Sequence, residues 1–124
     1  MAAAIGDGAS IVIFVLLGRS SHREGSVVVG TLATVWPFLA GGALGWLVIL
    51  VARRRGALLP GRGTAAGAIV LACTVVAGML LRRSLAGGGT PISFVLVATG
   101  FLALFLLGWR WAARRWTAQR PAAR

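Results

Sequence analysis

The residues that could do chemistry are few: two acids, Asp7 and Glu24, one histidine, His22, one cysteine, Cys73, and thirteen arginines with no lysine. Asp7 is the most anomalous of them because it interrupts an apolar run, "AAAIGDGASIVIFVLLG". A carboxylate about halfway through a hydrocarbon core costs on the order of 2.5–3.5 kcal/mol on insertion scales unless it is protonated, hydrated or paired. Such groups serve as proton or cation sites, and Ser10, three residues on, shares the helical face of Asp7. The rival expectation sets the helix lower in the bilayer, with Asp7 at the interface as a helix-start residue favoured by the N-terminal dipole.

The second candidate is "GRSSHREG", residues 18–25. Arg19, His22 and Arg23 stand at i, i+3 and i+4, so one extra helical turn gathers two guanidiniums and an imidazole on one side. Arg82 and Arg83 end the third apolar run on the same expected membrane face. Arg19, His22, Arg82 and Arg83 together are a candidate anion or proton site, suited to phosphate or a lipid headgroup. The plainer expectation is that Ser21 and Glu24 form a capping box that starts the next helix.

No constellation for catalysis or metal binding accompanies them. Two acids and one histidine, with no spacing that relates them to a serine, do not compose a triad, and nucleotide-binding glycine patterns are absent. A lone histidine lacks the further ligands a zinc site needs, and a lone cysteine can form no intrachain disulfide. The expectation is a non-catalytic protein without metal or cofactor.

Such residues are positioned by a membrane fold. Hydrophobic residues make up 58% of the chain and charged residues 12%, a composition that water could not solvate without aggregation. The net charge of +11 would suggest nucleic acid in a soluble protein. Here, however, the arginines flank apolar runs, as membrane proteins arrange them, and nucleic acid is not expected as a partner. The N-terminus carries Asp7 and no basic residue before its apolar stretch, so it reads as retained and not as a secretory signal.

With charges as punctuation, the chain resolves into four helical spans at about 3–19, 27–51, 64–82 and 91–110. The expected fold is all-α, a polytopic bundle of four transmembrane helices over residues 1–111, with a basic tail over 112–124. Thr90 and Pro91 read as cap and first residue of the last helix, and Thr64 as the cap of the third. Pro37 falls inside the second run, where a kink near Trp36 is expected. Small residues recur on one face of the second run (Gly30, Thr34, Pro37, Gly41, Gly45) and of the third (Gly63, Gly67, Thr74, Gly78). Faces of this kind let membrane helices approach closely and leave room for a homo-oligomer.

"GRSSHREG", "TVWPFLAGGALGW", "AGMLLRR" and "TPISFVLVATGFLALFLLGWR" together resemble the uncharacterised prokaryotic membrane family catalogued as domain of unknown function 3054. The family's motifs map to Gly18, Arg19, Ser21 and His22, to Trp36, Pro37 and Phe38, and to Arg82 and Arg83. Ser20 stands where the family pattern has a second arginine. The resemblance implies a four-helix membrane protein and no particular activity.

The functional expectation is therefore an accessory or lipid-interacting membrane protein, with the bilayer and its anionic lipids as partners. The alternative is a small proton-coupled transporter or exporter using Asp7, similar in size and helix count to the small multidrug-resistance proteins. The loop after the second span (Arg53, Arg54, Arg55, Arg62) and the C-terminal stretch counted with the tail (Arg110, Arg114, Arg115, Arg120, Arg124) hold nine arginines, and the other two loops hold four. This bias places the chain in a prokaryotic plasma membrane with both termini in the cytoplasm and "GRSSHREG" outside. Trp109, Trp111 and Trp116 are then expected as an interfacial belt above a basic amphipathic tail. Compartment-sensitive reporters fused after Arg124 and inserted at Gly88 are expected to report a single orientation, with the tail inside and Gly88 outside.

Overall fold

The computed structural model describes residues 2–20, 27–85 and 92–118. Four helices follow in order: α1 Ala2–Ser20, α2 Val27–Arg54, α3 Thr64–Leu85 and α4 Ile92–Ala118. Leu32–Arg54, Thr64–Leu85 and Ile92–Ala118 are each long and apolar enough to cross a bilayer, and Ala2–Gly18 is a shorter apolar helix. The chain is thus the polytopic, all-α membrane protein that its uncharged runs imply. The expected capping box of Ser21 and Glu24, with His22 and Arg23, lies outside the described residues, as do Thr90 and Pro91.

Each helix packs on its sequence neighbours, and α1 closes the ring against α4. The pairings run antiparallel. Gly45 and Gly41 of α2 meet Val70 and Thr74 of α3 in reverse order, and Phe38 meets Gly78. Two ends of the bundle can therefore be named from their residues. One holds the start of α1, the end of α2, the link through Gly61 and the end of α4; the other holds Arg82, Arg83 and Phe94.

The stripes of small residues do what their spacing implies at four positions. A Cβ on Gly41 would lie 2.8 Å from the Cys73 carbonyl oxygen and the Thr74 Cα, and one on Gly45 would lie 2.8 Å from the Val70 Cα. These are backbone atoms, so α2 and α3 touch main chain to main chain along this seam, with Cys73 half-buried in it. Gly78 leaves space for the Phe38 ring, and Gly67 faces α4. Phe38, fully buried, stands edge-on to Phe14 with ring centroids 5.9 Å apart, a favoured aromatic geometry. Within the Trp-Pro-Phe motif, then, Pro37 and Phe38 are core residues and Trp36 is exposed.

Helix α2 carries Pro37 within its span. One detail differs from the sequence reading. The Gly63 carbonyl accepts the first hydrogen bond of α3, from the Gly67 N–H at 3.1 Å, which makes Gly63 the cap and Thr64 the first helical residue. Glycine suits that position because a Cβ there would lie 3.0 Å from the Pro60 carbonyl oxygen.

Gly41→Ala is expected to lower the stability of the bundle by about 1–3 kcal/mol through overpacking of the backbone seam. Gly100→Ala, whose Cβ meets nothing within 4 Å, is expected to be neutral or mildly stabilising through helix propensity. Unfolding of both variants in mixed detergent micelles checks the contrast.

Candidate functional site

The buried polar centre of the molecule is the Asp7 carboxylate. Asp7 lies in the second turn of α1 and is 1% exposed. Both its oxygens are taken by Arg110 of α4: Nη1 donates to Oδ1 at 2.5 Å and Nη2 to Oδ2 at 2.7 Å. The indole N–H of Trp46 in α2 donates to Oδ2 and that of Trp109 in α4 to Oδ1, each at 3.0 Å. Four donors from two helices thus converge on one acid from a third. The bidentate fork fixes direction as well as charge, which a single ammonium could not do.

Arg110 is itself fully buried. Nη1 also donates to the Leu106 carbonyl, one turn back, at 2.7 Å, and Nη2 to the Gly61 carbonyl in the α2–α3 link at 3.3 Å. Its guanidinium carbon stands 4.8 Å from the Trp109 ring centroid, within cation–π range. The remaining nitrogen, Nε, is buried without a hydrogen-bond partner. It lies beside Gly67, where an added Cβ would come within 2.9 Å of Arg110 Cδ and 3.1 Å of Nε. Glycine is needed at 67 because a guanidinium held this firmly has nowhere to retreat.

Three expectations are revised by this geometry. The first turn of α1 contains no acid, so Asp7 is not a helix-start charge facing the dipole; its countercharge is Arg110. Trp109 is not part of an interfacial belt, since its indole nitrogen points inward at Asp7, while Trp111 and Trp116 are 61% and 70% exposed. Arg110 does not belong with the solvated arginines of the tail, and α4 runs on without a break to Ala118. Ser10 is buried but does not touch Asp7, because its hydroxyl donates to the Gly6 carbonyl at 2.8 Å.

The other candidate site is seen in part. His22 and Ser21 lie outside the described residues, and of Arg19 only the backbone, in α1, is described. A Cβ on Gly18 would meet nothing within 4 Å. Arg82 is half-buried with its guanidinium 5.0 Å from the Phe94 ring centroid, and its Nε is buried without a hydrogen-bond partner; Arg83 is exposed. These two arginines are at the opposite end of the bundle from Asp7. Among the described residues, no three histidine, cysteine or acidic side chains gather as a metal site would require.

Residues 4–113 match the family described as protein of unknown function (DUF3054). No curated protein matches the chain. No solved structure matches it either.

Removing Arg110 alone, as Arg110→Leu, is expected to cost about 3–5 kcal/mol, because Asp7 is left charged or neutralised in a site built around its partner. Asp7→Leu combined with Arg110→Leu is expected to recover most of that loss. A double-mutant cycle read by unfolding in mixed micelles checks the coupling.

Proposed function

The chain belongs to the DUF3054 family, and we propose that it is a non-catalytic, lipid-interacting protein of the prokaryotic plasma membrane, with both termini cytoplasmic. The observation that carries this reading is the engagement of Asp7. It is the one acid among the described residues, and four donors already occupy its two oxygens. A general base or a proton carrier needs a lone pair turned toward its substrate. The carboxylate here instead ties helices together.

The same pairing leaves the other arginines without an acidic partner among the described residues. Arginine in that state at a membrane surface suits phosphate oxygens, which accept its forked hydrogen bonds. At the end opposite Asp7, Arg82 and Arg83 are the described members of the site read from the sequence, whose other members, Arg19 and His22, have side chains outside the described residues. Phe94 supports the reading by fixing the Arg82 guanidinium over its ring, and the buried Arg82 Nε supplies a donor still to be satisfied.

One observation favours the rival reading, a small proton-coupled transporter using Asp7: the carboxylate also lines a groove between α1 and α2. The two readings separate experimentally. Under the lipid reading, protein purified in mild detergent retains anionic phospholipid, and Arg82→Ala with Arg83→Ala removes one bound lipid from the count by native mass spectrometry. A pH-driven flux in liposomes that Asp7→Asn abolishes, with lipid retention unaltered by the arginine variants, would select the transporter instead.

A further inference from the structure

The groove beside Asp7 has a second property. It encloses about 490 Å³ between α1 and α2, and its walls are almost wholly apolar. On α2 it runs from Leu39 through Ala43 and Leu47 to Leu50, steps of four, four and three that keep one helical face. That stretch rises roughly 16 Å. Arg53 and Arg54, both exposed, follow Leu50 by three and four residues, so the same face ends in two cations at the last turn of α2. The order along the face is an apolar trough from mid-bundle, then a pair of guanidiniums.

We infer that this trough and its terminal arginines bind one anionic phospholipid, with an acyl chain lying between α1 and α2 and the phosphate held by Arg53 and Arg54. The inference takes its ligand chemistry from the lipid reading above, but the site is at the other end of the bundle and shares no residue with Arg82 and Arg83. Charge complementarity selects the occupant. A lipid without net charge gains less from Arg53 and Arg54, because its own ammonium offsets the phosphate they would hold, and a cationic one is repelled by them. Asp7, the wall's one acid, offers no compensating attraction because Arg110 already neutralises it. A bilayer-facing apolar trough in a membrane helix pair is in contact with acyl chains at all times, and the arginines bias which lipid remains.

The lining itself provides the means of testing this. Gly8 of α1 faces the trough, and a Cβ built there meets nothing within 4 Å. Gly8→Leu therefore fills the space without colliding with backbone, and Ala43→Leu fills it from the α2 side. Gly100→Leu, on α4 and equally unobstructed, places the same bulk away from the groove. The full chain is purified in mild detergent, and dioleoyl phosphatidylglycerol or dioleoyl phosphatidylcholine is titrated in, with bound lipid counted by native mass spectrometry.

The wild-type chain is expected to hold one phosphatidylglycerol at least tenfold more tightly than phosphatidylcholine at this site. Gly8→Leu and Ala43→Leu are expected to lose that lipid, whereas Gly100→Leu keeps it. Arg53→Gln with Arg54→Gln is expected to leave a bound lipid while erasing the preference for phosphatidylglycerol. Unchanged retention in both groove-filling variants overturns the inference. So does a wild-type dimer that Gly8→Leu converts to monomer without changing lipid count, since the occupant would then be a second copy of the chain. Arg82→Ala with Arg83→Ala leaves this site intact, so its failure and that of the lipid reading at the opposite end are told apart.

Discussion

An ionised carboxylate inside a membrane protein must be neutralised where it stands, because neither lipid nor packed helix offers water to do it. Asp7 imposes that requirement on three other parts of the chain. α4 must deliver Arg110 at the level of the second turn of α1, and α2 must deliver the Trp46 indole to the same point. α3 must carry glycine at 67 so that the guanidinium has room. The α2–α3 link contributes the Gly61 carbonyl. Relative height and rotation of the helices are thus constrained by directional bonds at one end. Along the rest of the bundle, close packing through Gly41, Gly45 and Gly78 sets only how near α2 and α3 approach.

This division of labour reflects what drives helix association in lipid. Apolar side chains gain little by leaving acyl chains for one another, so van der Waals fit and interhelical hydrogen bonds carry the specificity. The α2–α3 seam uses the first means and the Asp7 cluster the second. α4 presents much of its apolar surface outward, with Leu96, Leu104 and Trp111 all well exposed. It is tied to α1 through the ion pair and the Trp109 indole, so that three of the four donors on Asp7 come from two consecutive residues of that helix.

The helices were legible in the sequence because charge is excluded from spans, so that arginines mark their ends. The glycine stripe of α2 was legible because close approach needs small residues at helical spacing. The partnership of Asp7 was not, since its guanidinium stands 103 residues away and local periodicity cannot relate positions so distant. Proximity to Arg114 and Arg115 made Arg110 look like one more flanking charge, and the neighbouring Trp111 and Trp116 made Trp109 look like part of a belt. An acid among apolar residues in a chain with so many arginines demands a countercharge, and Arg110 directly follows a run, Ser84–Trp109, without any other charge. Its position at the margin of that run, and not among its clustered fellows, was the available signal.

The ion pair also joins the first of the four described helices to the last. A ribosome adding 5–20 residues per second takes roughly 5–20 s to cover the interval between the two partners. Throughout that time α1 has its acid and lacks its cation, so the carboxylate is left to protonation or hydration. Arrival of α4 supplies the guanidinium, so a chain truncated before residue 110 lacks the partner of Asp7 as well as its last helix.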